Sequence, residues 1–553
     1  MSKFATKAKA VSTARRSRTI NQEGHPAYQK TATEELYSAL VSSFLNGDKF
    51  YESEQKTMER IAQLVSELND QQKQKFLIGL TYLARKLGNR TSFHYAAALV
   101  GQVVKSEPDA VKNLLSFGVE RADDLTEIAA AWAANFGKIE TRPAKTRTGK
   151  ENNLAGKNYN NPSLRGIPRR IREGLAKAFL KFDAYQLAKY KGTGKSIKLR
   201  DIVCVCHPDS SKSKAGVEAV KQLLDGTLPP AETWESKVSA AGKDKVAKKE
   251  AWESLLREDK MGYMAILRNL RNFIEGGVDK ALYLPKLADP ERVAKSKQFP
   301  FRFLSAYKIV EGLTGMQHKD VLSAIEAAID YACNNIPEMD GSTVVAVDLS
   351  GSMDSPLSQK STLRMNEVGA SFGAMLYKRS DQVITYGFGE STRQISLSPR
   401  AGVLTNAKVI VSTHVGHSTN GHLVVQDLIR HKIDTDRVVF FTDCVLWDTS
   451  AQACIDDTSV RKAIRQYWEE VNAKTHFWFI DLNGYSTMVD PGDARVHLLA
   501  GFNENILKMI PRGEESLAIS DDIIKLCEDI YEKLAKGEYP GNVQDVFEEL
   551  VSI

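Results

Sequence analysis

"VVAVDLSGSMDSPLS", residues 344–358, is the stretch that decides the fold of the C-terminal part of the chain. It begins with a continuous apolar run, which is typical of a strand buried on both faces. The run ends in the pattern D-x-S-x-S, so Asp348, Ser350 and Ser352 place a carboxylate and two hydroxyls close together. Hard oxygen donors of this kind suit a small cation such as Mg²⁺. The stretch therefore predicts a buried strand that ends in a candidate cation-binding loop.

Strands and helices alternate from residue 341 onward. Further apolar strands are predicted at "DQVITYGFG", "RVVFFTD" and "KTHFWFIDLNG", and amphipathic helices at "LRMNEVGASFGAMLYKR", "GHLVVQDLIRH" and "SVRKAIRQYWEEV". Apolar strands separated by amphipathic helices predict a parallel, doubly wound sheet with helices on both faces. Ligands bind such sheets at the carboxyl ends of the strands, which is where Asp348 falls. We therefore predict an α/β doubly wound domain over residues 341–553.

The first 340 residues instead show helical periodicity. Apolar residues recur at helical spacing in "EELYSALVSSFL", "ERIAQLVSEL", "AWESLLRE" and "MAILRNLRNFI". Short polar connectors join these segments without a strict period, which predicts an all-α array of degenerate helical repeats. A polar and basic stretch at residues 140–166 interrupts the pattern and is predicted to be a loop insert. We expect a disordered basic arm over residues 1–24 and a helical domain over residues 25–340.

The composition is that of a folded protein with several domains. At 553 residues the chain is too long for a single hydrophobic core. No segment approaches the roughly 20 apolar residues of a membrane span. The basic N-terminus lacks the apolar stretch of a secretory signal, and a transit peptide is the alternative for it. Six scattered cysteines indicate a reducing compartment rather than a disulfide framework. We therefore expect a cytoplasmic protein that does not bind a membrane.

The net charge of +6 conceals two halves of opposite sign. Residues 341–553 contain 20 Lys and Arg residues against 29 Asp and Glu residues, whereas the first 340 residues contain 55 against 40. Residues 142–200 alone hold 16 basic and 3 acidic residues. Such a strip can serve solubility, but the Gly, Tyr and Asn residues within it favour salt-dependent binding of nucleic-acid phosphates. The basic candidates are Arg165, Arg169, Arg170, Arg172, Lys177, Lys189, Lys191, Lys195, Lys198 and Arg200.

Two later residues extend the candidate cation site. Thr419 lies in "GHSTNG" before a predicted helix, and Asp443 closes the strand "RVVFFTD". A different interpretation makes Ser350 or Ser352 a nucleophile, which would need a histidine base nearby. The bases available are His414, His417 and His422, which could also form a transition-metal site. The strand end is not a G-x-S-x-G elbow, so the sequence favours the oxygen-ligated cation.

The five oxygen-bearing residues resemble the metal-ion-dependent adhesion site of von Willebrand factor type A domains. The resemblance implies that Ser350, Ser352 and Thr419 supply hydroxyls, while Asp348 and Asp443 act directly or through water. In that family the last coordination position is left for a carboxylate from a partner. This implies a second possible function, a metal-dependent module that docks an acidic partner.

One departure from the type A pattern lies beside Asp443. The family commonly follows the last aspartate with Asn and Glu, whereas this chain reads "FFTDCVLWD" and has Cys444 and Val445 there. The neighbouring polar groups that would orient the ligands are absent from those positions. We therefore expect a lower metal affinity than is usual for the family.

The N-terminal part resembles the TROVE module of the Ro ribonucleoprotein autoantigen family. The similarity is carried by "FLNGDKFYESE", "LAKYKGTGKSIKLRDIVCVCHP", "MAILRNLRNF" and "FPFRFLSAYK", in this order and followed by "DLSGSM". It covers the chain from about residue 25 onward. The resemblance implies a bacterial or phage member of the family that binds RNA without catalysing a reaction. It also implies a HEAT-like ring of helices that the type A domain closes.

The Ro resemblance also implies RNA ligands and individual contacts. Small structured noncoding Y-like RNA would lie on the outer basic surface, and single-stranded ends of misfolded RNA would enter a central cavity. Lys189, Tyr190, Lys191 and His207 fall at the family's positions for Y RNA contacts, whereas the spacing around Lys195 departs by about one residue. The expected partners are these RNAs and an exoribonuclease such as polynucleotide phosphorylase, bound by a monomer with Mg²⁺ in its type A domain.

Overall fold

The computed structural model describes most of the chain, and its residues form two compact units. The α/β unit combines Met1–Ser42, Gly47–Lys56 and Ile336–Ser520, and the helical unit combines Ser43–Asn46, Thr57–Asn335 and Asp521–Ile553. The described residues are 18–21, 26–42, 45, 52–137, 162–192, 195–296, 298, 300–313, 318–334, 336–357, 361, 363–446, 459–485, 487–488, 493, 495–501, 504–511 and 519–541.

The α/β unit contains a six-stranded sheet in the order β5-β4-β3-β6-β7-β9. All neighbouring strands are parallel except the β4–β5 pair at one edge. A small antiparallel sheet, β1-β2-β8, accompanies it. The strands are β1 (Arg18–Ile20), β2 (Pro26–Gln29), β3 (Met339–Asp348), β4 (Ser380–Phe388), β5 (Thr392–Ile395), β6 (Arg437–Thr442), β7 (His476–Asp481), β8 (Thr487–Met488) and β9 (Val496–Ala500).

The large sheet is buried because helices cover both of its faces. Every residue of β6 is buried, as the continuous apolar run predicted. Helix α20 (Met365–Arg379) approaches β3 closely, since a Cβ atom added at Gly373 would lie 3.0 Å from the Val347 side chain. The helices of this unit are α1 (Ala32–Ser42), α20 (Met365–Arg379), α21 (Val403–Val411), α22 (His422–Arg430) and α23 (Ser459–Glu470).

The predicted α/β doubly wound fold is confirmed, with additions at the sheet edges. Strands β5 and β9 and helix α21 were not predicted. Strand β5 has only four residues, too few for a clear pattern, and it pairs in the antiparallel direction. Edge strands of this length contribute little apolar burial, which is the signal that sequence periodicity detects.

The helical unit stacks its helices in two alternating layers through much of its N-terminal part. Helix α4 (Phe76–Lys86) packs on α6 (Pro108–Gly118) and α6 on α8 (Arg169–Phe179), while α5 (Arg90–Val103) packs on α7 (Ala122–Phe136). The helices are α2 (Glu54–Glu67), α3 (Asp70–Gln74), α4 (Phe76–Lys86), α5 (Arg90–Val103), α6 (Pro108–Gly118), α7 (Ala122–Phe136), α8 (Arg169–Phe179), α9 (Ala184–Lys189), α10 (Leu199–Cys206), α11 (Gly216–Asp225), α12 (Trp234–Ala240), α13 (Lys245–Arg257), α14 (Tyr263–Arg268), α15 (Leu270–Glu275), α16 (Leu284–Leu287), α17 (Pro290–Ser296), α18 (Pro300–Glu311), α19 (Lys319–Cys333) and α24 (Ile519–Lys536).

A buried carboxylate joins α4, α5 and α7. Asp124 accepts hydrogen bonds from His94 Nε2 at 2.8 Å and Arg90 Nε at 2.5 Å, and Arg85 lies at 3.5 Å. Burial acts to raise the pKa of Asp124, but these partners hold it well below its usual range. The carboxylate also accepts the backbone N–H groups of Glu120 and Arg121 at the start of α7. Asp124 therefore caps the start of α7 and links this helix to α4 and α5.

The compact units differ from the predicted domains at both ends of the chain. The predicted arm, 1–24, contributes strand β1, so at least residues 18–20 are ordered; residues 1–17 lie outside the described range. Helix α1 belongs to the α/β unit and α24 to the helical unit, contrary to the boundaries at residues 25, 340 and 341. Each helix buries its apolar residues in its own unit, whatever its place in the sequence. Residues 140–161 of the predicted insert lie outside the described ranges. No helix within the described ranges is long and apolar enough to cross a membrane.

The α/β unit is expected to lose stability in mild acid through His497. The imidazole is buried, lies 2.9 Å from His476 and stacks on Trp478. Burial and the charge of His476 lower the pKa of His497 to about 3. An unfolded histidine titrates near 6.5, so the free energy of unfolding should fall between about pH 6.5 and pH 3, by up to about 1.4 kcal/mol per pH unit. Denaturation of the full chain at pH 7 and pH 5 should show a smaller decrease for His497→Phe, and equal decreases would contradict this.

Candidate metal centre and basic surface

The carboxyl ends of β3 and β6 bring the predicted cation ligands together. The two strands are parallel neighbours, so Asp348 and Asp443 follow adjacent positions of the sheet. Thr442 Oγ1 donates a hydrogen bond of 2.7 Å to Asp348 Oδ2. The N–H of Gly351 donates to the carbonyl of His417 at 2.8 Å, which ties the loop carrying Thr419 to the D-x-S-x-S loop.

Hydrogen bonds hold the oxygen atoms of this candidate centre in place. The N–H of Ser350 donates to Asp348 Oδ1 at 3.0 Å, and the hydroxyls of Ser350 and Ser352 lie 3.3 Å apart. The N–H of Val445 donates to Asp443 Oδ1 at 3.0 Å. All five predicted ligands, Thr419 included, have 3% or less of their surface exposed. The centre is therefore a preformed group of buried oxygens.

Two oxygens of this group fit a bound cation particularly well. Thr419 Oγ1 and Asp443 Oδ2 are buried and make no hydrogen bond to any residue that the structure describes. A buried polar atom without a partner is costly, and a metal ion or water is the usual explanation. Hydroxyl and carboxylate oxygens are the ligands that Mg²⁺ takes. The five residues would therefore hold such an ion through hydroxyl and carboxylate oxygens.

The electrostatics of the centre favour a cation. Burial, and then the charges of Asp348 and Asp481, raise the pKa of Asp443 well above its usual range. A divalent cation would offset the repulsion between the buried carboxylates of Asp348 and Asp443. Within the described ranges there is no cluster of three or more His, Cys, Asp and Glu side chains that could hold a metal. The candidate metal centre contains only two such side chains, Asp348 and Asp443, because its other three residues would supply hydroxyls.

Thr442 and Lys30 are residues of this region that sequence reasoning missed. The Thr442 hydroxyl also accepts the N–H of Cys444 at 3.2 Å, so it supports Asp348 beside the unusual Cys444–Val445 pair. Lys30 follows β2 in the sequence, and its ammonium group contacts Asp481 Oδ2, at the end of β7, at 2.6 Å. The strand "RVVFFTD" showed Thr442 next to Asp443, but no local signal connects Lys30 with Asp481, 451 residues away.

The histidines near the candidate metal centre make no side-chain contact with its serines among the described residues. His414 and His417 are exposed and His422 is buried. No histidine in the described part of the chain hydrogen-bonds to the hydroxyl of Ser350 or Ser352, and His417 contacts this loop through its backbone carbonyl. The geometry therefore favours an oxygen-ligated cation over a serine nucleophile.

The predicted basic residues on α8 are mostly held by neighbouring helices. Arg169 pairs with Glu173 at 2.5 Å, and Arg170 donates to the carbonyl of Gln102 at 2.8 Å. Lys177 donates to Asn113 Oδ1 at 2.8 Å but keeps its side chain exposed. Arg165, just before α8, is exposed, whereas Arg172 is half-buried.

A second group of predicted residues surrounds the start of α10. Lys189, Lys191 and Lys198 are exposed or half-exposed, and none of them forms an ion pair with a residue of the described ranges. The ring of Tyr190 lies between cations, with Arg121 at 4.8 Å and Lys189 at 5.6 Å from its centroid. Sequence reasoning missed Arg121, because its helix begins outside the basic strip. We call Lys189, Tyr190, Lys191 and Lys198 the lysine cluster.

The remaining predicted contacts lie apart from the lysine cluster or are neutralised. Lys195 pairs with Glu127 at 2.5 Å, and Arg200 is half-buried. His207 ends α10 with a φ of 50° and is exposed. Helix α10 has eight residues, so its two ends lie about 12 Å apart. The Cys206 thiol, next to His207, is an inert group because burial raises its pKa to about 12 despite the nearby Arg172.

Two family models match adjoining parts of the chain. The TROVE domain model matches residues 225–348, and the Ro60 vWA domain model matches residues 342–512. Telomerase protein component 1 of Mus musculus is 39% identical over 85 residues, which are 15% of this chain and 3% of that protein. RNA-binding protein RO60 of Deinococcus radiodurans is 22% identical over 272 residues, or 46% of this chain. The alignment covers 50% of the Deinococcus protein's length.

A solved structure shares the fold of nearly the whole chain. The crystal structure of the Deinococcus radiodurans RO (RSR) protein superposes with a TM-score of 0.56, at 20% sequence identity. The superposition covers 87% of this chain and all of that chain. The order of a helical domain and a type A domain, the two adjoining models and this shared fold agree with one another. The chain is a member of the Ro family, with a TROVE domain followed by a Ro60-type von Willebrand type A domain.

Proposed function

We propose that this protein is an RNA-binding scaffold of a Ro-type ribonucleoprotein rather than an enzyme. The observation that carries the proposal is the lysine cluster, where Lys189 lies beside the Tyr190 ring and none of the three lysines forms an ion pair with a described residue. Lysines in this state attract phosphates, and an aromatic ring beside them offers a face to a base. The family relationship and the name of the Deinococcus relative, an RNA-binding protein, support the same conclusion.

Charge removal in the lysine cluster is expected to weaken RNA binding strongly. Replacing Lys189, Lys191 and Lys198 together with glutamine removes three phosphate contacts. The slope of log K against log salt concentration should then fall by about 3 for a structured RNA. Filter binding of a labelled RNA hairpin at several salt concentrations measures both the affinity and this slope.

The control replaces an equal number of exposed lysines elsewhere on the helical unit. Lys221, Lys243 and Lys245 are exposed and form no ion pair within the described ranges. Their triple glutamine variant should keep a salt slope close to that of the unchanged protein. Equal losses in both variants would mean that net charge, rather than the lysine cluster, determines binding. A wild-type protein without RNA affinity would refute the proposed function.

The finer features of the proposal come from the family resemblance. We propose that the structured ligand is a small noncoding Y-like RNA and that single-stranded ends of misfolded RNA are a second ligand, for RNA quality control or decay. We further propose that the monomer acts in the cytoplasm, with an exoribonuclease such as polynucleotide phosphorylase as a partner. Closure of the helices into a ring around a central cavity stays a prediction. Sequencing of RNA crosslinked to the protein in its native cells tests the identity of the ligands.

A second candidate function is metal-dependent docking of an acidic partner by the type A domain. The unpartnered oxygens of Thr419 and Asp443 favour it, because they fit a Mg²⁺ ion with a position open to a partner carboxylate. This function predicts partner capture that EDTA abolishes and RNase leaves intact. An RNA scaffold would show the opposite sensitivities, so the two candidates are distinguishable.

A further inference from the structure

An exposed aromatic residue, Tyr539, follows helix α24 of the helical unit and is held in place on both sides. Gly537 ends α24 with a φ of 79°, which a residue with a side chain rarely adopts. The N–H of Glu538 donates to the carbonyl of Lys533 at 2.9 Å. Beyond the aromatic residue, the Tyr82 hydroxyl donates to the carbonyl of Gly541 at 2.9 Å. The chain between these anchors presents Tyr539 in a fixed place.

Tyr539 remains 53% exposed although its neighbours hold it in place. Phe117 packs against it edge-on, with ring centroids 5.7 Å apart. Lys86 Nζ lies 5.3 Å from the ring centroid and donates to the Tyr539 hydroxyl at 3.2 Å. An exposed aromatic ring that is fixed beside cations offers a face on which an unpaired base can stack.

Cations continue from this ring into a groove between α6, α8 and the end of α24. The groove has a volume of about 340 Å³, and Lys177 and Lys536 line it. Lys177 Nζ also lies 5.7 Å from the ring centroid of Phe117, so the groove joins the aromatic pair. Lys536 forms no ion pair with any described residue.

The acidic residues of the groove are already paired. Lys112 contacts Asp109 at 3.0 Å and Glu173 at 2.7 Å, and Arg169 contacts Glu173 as well. Among the described residues that line the groove, the cations without an acidic partner are therefore Lys177 and Lys536. The positive charges of these two lysines attract a polyanion and would repel a basic peptide.

We propose that this surface binds single-stranded RNA, with an unpaired base stacked on Tyr539 and the flanking phosphates on Lys177 and Lys536. The proposal rests on the RNA-binding function and adds a site that the lysine cluster does not include. Aromatic faces accept any base, and lysines contact phosphates without reading sequence. We therefore expect the site to prefer unpaired RNA of any sequence over a closed hairpin.

The test compares variants of the full chain with a fluorescent oligouridine. Tyr539→Ala should weaken binding about tenfold in anisotropy titrations, as loss of one stacked base does. Tyr539→Phe keeps the ring and should bind within about twofold of the unchanged protein. Tyr331→Ala is the matched control, because Tyr331 is another exposed tyrosine of the helical unit, 39% exposed. It should leave the affinity unchanged.

The possible results distinguish the Tyr539 site from the proposed RNA scaffold function. Equal oligouridine affinity of Tyr539→Ala and the unchanged protein would overturn the proposal, and so would a protein that binds hairpins but not oligouridine. The RNA scaffold function would survive both results, whereas the absence of any RNA binding would remove it. Crosslinking with 4-thiouridine RNA and mass spectrometry should mark the tryptic peptide that contains Tyr539. Crosslinks confined to other peptides would count against the site.

Discussion

Replacing Lys30 with alanine is expected to lower the free energy of unfolding by about 3–5 kcal/mol. Lys30 is fully buried, and its ammonium group contacts Asp481 at 2.6 Å, the Tyr485 carbonyl at 2.7 Å and the Ser38 hydroxyl at 3.2 Å. These three acceptors satisfy all three of its N–H groups. The alanine variant would leave the Asp481 carboxylate buried without its counter-charge. The backbone N–H groups of Asn483 and Gly484 that donate to Asp481 cannot supply that charge.

Hydrogen exchange of the full chain measures this effect where it occurs. Amides of α1 and of residues 481–485 should exchange faster in Lys30→Ala, because α1 is held at the sheet edge through Lys30 and through Ser42, whose hydroxyl donates to the Asp481 carbonyl. Lys474→Ala is the control, since Lys474 is an exposed lysine of the same unit, and its effect should stay within about 0.5 kcal/mol. The interpretation is wrong if the two variants lose equal stability and protection.

Replacing Thr419 with valine is expected to lower the Mg²⁺ affinity by at least about 100-fold. Valine matches threonine in shape and removes only the hydroxyl oxygen, one of the two unpartnered oxygens of the centre. Loss of an outer-shell contact alone costs roughly 10- to 100-fold in metal affinity, so loss of a ligand should cost more. Asp443→Ala should have the same effect by removing a carboxylate. Calorimetric titration of the full chain with MgCl₂ provides the comparison.

The free energy of unfolding gives a second measurement, made once in EDTA and once in Mg²⁺. The difference between Thr419→Val and the unchanged protein should change sign between the two. In EDTA, Thr419→Val should be as stable as the unchanged protein or more stable, because an unsatisfied buried hydroxyl is gone. In Mg²⁺, only the unchanged protein should gain stability, in proportion to the logarithm of the ion concentration above its Kd. Thr413→Val is the control, since its hydroxyl bonds to the Val409 carbonyl within the same loop region. An unchanged Mg²⁺ response in Thr419→Val would contradict the ligand set.

The C-terminal fold was predictable because its signals are local. The runs "VVAVDLS" and "VVFFTD" are apolar without interruption, and only a sheet covered on both faces requires this. The loop after β3 could be assigned as a cation site because Asp348, Ser350 and Ser352 carry their chemistry within a few positions. In the structure all three lie in one buried group with Asp443.

The remaining features depend on contacts between distant parts of the chain. Lys30 stands in "YQKTATEE", which reads as a polar surface segment, yet it is buried against Asp481. Arg169 and Lys195 carry the charge that marked the basic strip, but Glu173 and Glu127 neutralise them. Pairing of this kind is decided by which helices pack together. A charge count along the sequence therefore overestimates the number of cations available to RNA.

The assignment of α1 and α24 to opposite units has a consequence for synthesis on the ribosome. Ser42 of α1 and its acceptor Asp481 are 439 residues apart, so α1 is made long before the strand that covers it. At about 5–20 residues per second, the delay is roughly 20–90 seconds. The helical unit likewise lacks α24 until the residues of the α/β unit that precede it, 336–520, have been synthesised. Each unit therefore stays incomplete while segments of the other unit are synthesised, and the nascent protein must keep two apolar surfaces from aggregating during that time.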